Sequence, residues 1–150
     1  MGRQECAHGM CVVFNKSRQK VNYAQAINYA SLVKVDHMVY KQNGYMAIHT
    51  VIDSEEANAV LVDNHNCRFG GWYYQGDGRE FYGNTMAYRE IESPHSEVHL
   101  ATHHAVQLLN EDRQNDEPVK QQITDAFRQA EEESDQVMLL VDQMVQERFA

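Results

Sequence analysis

"ITDAFRQAEEESDQVMLLVDQM", residues 123–144, decides the architecture. Ile123, Phe127, Ala130, Ser134, Val137, Val141 and Met144 follow one another in alternating steps of four and three. That spacing lines one narrow side of a helix, a seam suited to packing on other helices at coiled-coil-like angles. The charges between them fall on the other sides. Residues 111–150 hold 11 acidic and 4 basic side chains, a net of −7, which reads as a solvated helix face rather than an interaction tail.

Working back from this seam, other segments carry the same period. Between Val21 and His49, the residues Tyr23, Ala26, Ile27, Ala30, Val33, His37, Tyr40 and Gly44 keep three-and-four spacing, which predicts one long amphipathic helix. "DSEEANAVLVDNHN" supports at most a short turn over Asp53–Ala59. "CRFGGWYY" is expected to open a short helix, which Gly76 and Gly78 of "QGDG" end; a hairpin strand is its rival because of the aromatics. "ESPHSEVHLATHHAVQLLN" starts with a capping Ser93 and with Pro94 at the first helical position. The expected fold is therefore all-α, an antiparallel four-helix bundle with an additional short helix carrying the cysteine. Residues 1–18 are expected to be a flexible lead-in and residues 19–150 the bundle.

Composition excludes several roles. The chain has 150 residues, 13 Lys+Arg and 22 Asp+Glu, a net charge of −9 that argues against nucleic acid or anionic lipid as main partner. The longest apolar run near the end, "VMLLV", is far short of the ~20 residues that cross a membrane. "MGRQECAHGM" has no apolar core of a secretory signal, and the cysteine count is odd at three. A reduced, cytoplasmic setting follows as the expectation. Eight histidines point toward metal.

His95 and His99 stand four apart, so on a helix both rings leave one face a turn apart and can meet one ion. His103 and His104 continue that run and are expected to be exposed or to support the ligands from behind. Cys67 adds a soft thiolate, and mixed nitrogen and sulfur sites suit zinc. If Cys67 opens a helix, the helix N-terminus is expected to lower its pKa; the plainer alternative is a small buried hydrophobe. His37 lies on the inward stripe of the first helix and becomes the fourth candidate once His95 and His99 share the core. Two further groups stay open: His65 as a substitute ligand, and Cys6, His8 and Cys11 of "CAHGMC", which lack a fourth partner.

The combination of "KVDHMVYK", "CRFGGWYYQGDG" and "IESPHSEVH" resembles the chemoreceptor zinc-binding domain family. Its motif Cys-x-Phe/Leu-Gly-x-Trp is met by Cys67, Phe69, Gly70 and Trp72. Its Pro-His-x-x-x-His pair is met by Pro94, His95 and His99, and its first-helix histidine falls on His37. The resemblance runs from about Ala30 to Met144. It implies a bacterial cytoplasmic bundle that binds Zn2+ through His37, Cys67, His95 and His99, and that commonly forms homodimers. It also implies chemotaxis or diguanylate cyclase signalling modules as partners. On this reading Gly70 and Gly71 permit close backbone approach beside Cys67, and Trp72, Tyr73 and Tyr74 form a wall behind it.

Four protein ligands close a zinc site, whereas catalysis needs an open position and a general base. No HExxH and no deaminase pattern is present, so an enzyme is not expected. Three neutral imidazoles and one thiolate leave the ion a local charge of +1. Ligands from three segments tie helix packing to metal occupancy. The expectation is a regulatory domain reporting zinc or oxidant, as a chemoreceptor fragment or a free-standing version. Two alternatives stand beside it. One is a helical interaction protein with a purely structural zinc. The other is a hemerythrin-like diiron protein, for which Lys41 follows His37 where a carboxylate is wanted and only His49 and Asp53 make a pair.

Overall fold

In the computed structural model, seven α-helices and one π-turn account for the elements of the described residues, 2–48, 54–109 and 116–150, with side chains described from Met10 onward. They are α1 (Gly2–Ala47), α2 (Glu55–Ala59), α3 (Arg68–Gly70), the π-turn Gly71–Gln75, α4 (Asp77–Tyr82), α5 (Met86–Glu90), α6 (Glu92–Leu109) and α7 (Glu117–Phe149). The fold is all-α, with no strand among the described residues.

Three long helices make the frame. Lys34 pairs with Asp142 and Lys41 with Glu131, both at 2.5 Å, so α7 runs antiparallel to α1. Ring contacts of His37 with His95 and Tyr40 with His99 set α6 parallel to α1. The fourth side of the bundle is a run of short helices, α2 to α5. Every member of the α7 seam is buried, Ile123 through Met144. On α1 the buried positions are Ala26, Ala30, Val33, His37, Gly44 and Ala47, while Tyr23 and Ile27 of the expected stripe are exposed. Gly44 marks a close crossing: a Cβ there would sit 3.1 Å from the Phe127 ring and 3.2 Å from Thr102.

Helix α1 begins at Gly2, ahead of the Val21 start expected from the period, and no break in helix marks residue 18. Helix α6 begins at Glu92 rather than after Ser93, because α5 leads into it through Ile91, whose carbonyl accepts from His95 N–H. Pro94 therefore sits in the first turn, where a missing N–H costs nothing. Helix α2 follows the local rules, with Ser54 Oγ accepting from Ala57 N–H at 3.1 Å. Helix α5 has a local cap, Thr85 Oγ1 accepting from Tyr88 N–H at 3.3 Å, and a long-range one, Glu147 of α7 accepting from the N–H groups of Met86 and Ala87. Tyr73 and Tyr88 stack at 4.3 Å, and each hydroxyl donates to the other residue's carbonyl, at 2.8 and 2.6 Å. This lock fastens the π-turn to α5.

Three hydrophobic clusters fill the interior of the described residues, the smallest made of Ala47, Val60 and Val106. The largest gathers Val33, Phe69, Tyr73, Ile91, Val137 and Met144 with their neighbours, and another gathers Ala105, Leu108, Ile123 and Phe127. Along each long helix the buried polar residues His37, His95, His99, Thr102 and Ser134 fall between the stretches that feed these clusters.

Candidate metal centre

Cys67 is the N-cap of α3: its backbone is extended and its Sγ accepts from Gly70 N–H at 3.2 Å. The turn before it is fixed by Asp63, whose carboxylate accepts from the N–H groups of His65 and Asn66. Gly70 is required by this turn, since a Cβ there would lie 1.9 Å from the Asn64 carbonyl oxygen. Gly71 has open space around it, so the close approach expected of the pair belongs to Gly70 alone.

The sulfur so placed meets α6. Cys67 Sγ lies 3.3 Å from His95 Nε2, and the ligand atoms of Cys67, His95 and His99 all lie within 4.8 Å of one another. His37 borders this trio rather than joining it, with its ring 5.4 Å from that of His95. His95 is fully buried, and His37 and His99 are each 4 % exposed. Phe69 walls one side of the site, presenting an edge-on contact to His95 at 4.8 Å and to His37 at 5.9 Å. Trp72 packs beside it, its ring tilted against that of Tyr29 at 4.5 Å.

Two backbone carbonyls fix tautomers, since a carbonyl only accepts. His99 Nδ1–H donates to the Val62 carbonyl at 2.8 Å, and His37 Nδ1–H donates to the Val33 carbonyl at 3.3 Å. Both rings therefore present an unprotonated Nε2, the form a metal ligand needs. His37 Nε2 is buried and has no hydrogen-bond partner, and the same holds for His95 Nδ1. An isolated buried nitrogen of this kind is costly unless something binds it.

Electrostatics match. Burial, then the neighbouring His37 and His99, lower His95 to about 2, and burial lowers His99 to about 4. Burial likewise lowers His37. All three rings are held neutral. The Cys67 thiol is pushed up by burial, which outweighs the N–H groups of Gly70 and Phe69. The expected lowering by a helix N-terminus is thus overturned for the metal-free thiol: α3 has three residues, too few for a sizeable dipole. A cation beside the sulfur would reverse that balance. Neutral imidazoles and a thiol with no anion among them suit a divalent cation of borderline softness, and the residues fit zinc.

His103 Nε2–H donates to Val62 O at 3.2 Å, so it steadies the same carbonyl that holds His99, and His104 is exposed. His65 stacks on Tyr74 at 4.1 Å, outside the cluster. Cys11 is exposed; Cys6 and His8 have no described side chains, and the His49–Asp53 pair lies outside the described residues. A cavity of about 310 Å³, lined by His37, Tyr40, Val62, Cys67 and His99 among others, opens the site to the surface. At its rim Asp36 and Arg68 pair at 3.0 Å.

Residues 37–106, which include all four sequence candidates, match the family model described as the chemoreceptor zinc-binding domain. This stretch, 70 of the 150 residues, is similar to that family. No curated protein and no solved structure matches the chain. The chemoreceptor zinc-binding domain is a zinc-binding sensory module of signalling proteins, regulatory rather than catalytic. No helix among the described residues is long and apolar enough to cross a membrane. Sequence reasoning missed the carbonyls of Val33 and Val62. Backbone acceptors leave no mark in residue types, and only the loop's path reveals them.

Proposed function

We propose that the chain binds one Zn2+ through His37, Cys67, His95 and His99, and that occupancy of this site reports zinc or oxidant to a signalling output. The observation carrying this reading is the Cys67–His95–His99 cluster, with the buried, unpartnered Nε2 of His37 beside it. When bound, zinc supplies a positive charge that draws the thiolate and three lone pairs to one point. The protein's share is preparation. Val33 and Val62 hold two rings in the ligating tautomer, Gly70 N–H steadies the sulfur, and Phe69 packs edge-on against the rings of His37 and His95.

The ligands come from α1, the start of α3 and α6, so binding free energy is also packing free energy for these elements. Loss of the ion, or oxidation of Cys67, frees α3 from α6 and leaves the buried imidazoles unpaired. An output element attached to the bundle can respond to that loosening. The output is a chemotaxis or cyclic-di-GMP module in a bacterial cytoplasm, the chain being a chemoreceptor piece or a free-standing version. Residues 19–150 act as the zinc-binding bundle behind the lead-in 1–18, and the domain works as a homodimer.

Elemental analysis of the purified chain and of Cys67→Ala, with zinc affinity by chelator competition, tests this. The proposal expects about one zinc per wild-type chain, a large loss in the variant, and release within physiological free zinc or under mild oxidant. A site that keeps its ion under both conditions is a structural zinc instead. Equal metal content in the two proteins removes the site.

A further inference from the structure

Helix α1 has a second apolar seam, on the side away from the bundle. Phe14, Val21, Asn28, Val35 and Gln42 stand seven residues apart, and seven residues drift only about 20° round a helix. Met10, Leu32, Val39 and Met46 flank this line. Val35 stands about 200° round from the buried Val33, at 100° per residue. All nine are exposed, Met10 by 72 %, Phe14 by 68 % and Leu32 by 58 %. From Met10 to Gln25 every residue is exposed, and this part of α1 meets the rest of the chain through the edge-on contact of Tyr23 with Phe149 of α7, away from the seam.

We propose that this outer seam is a coiled-coil interface with a second copy of the chain, α1 against α1, with Asn28 facing its own counterpart across the two-fold axis. This gives the homodimer named above its interface and rests on that reading for the number of copies alone. Heptad spacing calls for another helix with the same spacing. Among the described residues the outer face of α1 itself offers one, because the α7 seam is already buried. Asn28 falls midway along the line, between Val21 and Val35, where an amide weakens packing unless another amide answers it. Its own copy supplies both donor and acceptor, the known way one polar seam residue fixes register.

The size is sufficient. Residues 10–46 span roughly 54 Å, and a strip about 10 Å wide gives on the order of 1,100 Å² over both partners, enough for a specific interface. The competing occupant is an anionic lipid surface, since Lys16, Arg18, Lys20, Lys34 and Lys41 outnumber Asp36 on residues 10–47. Ser17, Asn28 and Gln42 interrupt the apolar face. Small and polar residues of that kind suit helix-to-helix packing and weaken insertion among acyl chains.

The test uses the full zinc-loaded chain with Cys6 and Cys11 replaced by serine. Asn28→Cys should link into covalent dimers with a short bis-maleimide at least tenfold faster than Asn15→Cys, which lies on the other side of α1. Val21→Asp and Val35→Asp, both at exposed positions, should shift the sedimenting mass from twice to once 17.3 kDa with zinc content unchanged. A dimer that ignores both substitutions, or links no faster through residue 28, overturns the interface and leaves the homodimer standing. A wild-type monomer at 100 μM, or pairing seen only on phosphatidylglycerol vesicles, overturns both. None of these outcomes touches the zinc reading, which the metal content of the same samples reports.

Discussion

Cys67 Sγ and His95 Nε2 stand 3.3 Å apart, joining the start of α3 to the first turn of α6. With no ion between them they hold each other only by a weak hydrogen bond. Phe69 of α3 adds an edge-on contact to the His95 ring, and a shared cation would join the two elements further.

Replacing members of the cluster tests that link. Cys67→Ala and His99→Ala should each lower zinc affinity by at least about 100-fold, more than is usual for residues that merely orient a ligand. His37→Ala should weaken it too, and the exposed His104→Ala should change nothing. Zinc at a hundredfold excess over Kd stabilises by about 2.7 kcal/mol, roughly 5–10 °C in Tm for a chain of this size. The ligand variants should lose that increment. Plasma emission analysis and thermal melts with and without zinc are the measurements, and unchanged metal in His99→Ala would count against the set.

Acidity should weaken the fold in a defined window. His95 and His99 are held low in the folded state, to about 2 and about 4, against an ordinary value near 6.5. The unfolded chain therefore takes up protons first. Stability is fully present above pH ~6.5 and falls below it by about 1.4 kcal/mol per pH unit for each histidine. His99 stops contributing to the fall near pH 4, while His95 continues lower. Zinc should leave in the same window, as protons compete for the lone pairs. Melts of the metal-free chain between pH 8 and 5 would show the fall, and a Tm independent of pH would contradict it.

The glycine pair gives a contrast between neighbours. Gly70→Ala would place its Cβ 1.9 Å from Asn64 O, a backbone atom that cannot swing aside. We expect it to cost about 3 kcal/mol or more and to abolish tight zinc binding. Gly71→Ala meets nothing within 4 Å and has helical dihedrals, so it should be neutral or stabilise by up to about 1 kcal/mol. Denaturant melts of both proteins check this.

The tyrosine lock offers a cycle. Tyr73→Phe and Tyr88→Phe each remove one hydroxyl donated to the other's carbonyl, at about 1 kcal/mol apiece. Because the rings also stack, the double variant should depart from the sum. Strict additivity in urea unfolding would show that the two bonds act alone.

Particular residues show what was legible in the sequence. The α7 seam was readable because its period is long and its members apolar, and all seven are buried. The inner stripe of α1 was readable from Ala26 to Gly44. Tyr23 and Ile27 misled because they keep the period but stay exposed beside the buried Ala26 and Ala30, Tyr23 meeting α7 only through an edge-on contact with Phe149. Cys67, His95 and His99 could be named from spacing and motif, since ligand chemistry resides in side chains. The π-turn, the capping of α5 by Glu147 and the Tyr73–Tyr88 exchange were hidden. Each depends on where distant backbone atoms fall, which no local pattern encodes.

The Val62 carbonyl, accepting from both His99 and His103, has an evolutionary consequence. Every amino acid carries that oxygen, so exchanges at position 62 can drift without unseating either ring. Insertions or deletions in the loop cannot, because they would carry the acceptor away from α6. Lineages of this domain should thus tolerate varied residues there while keeping the loop's length constant.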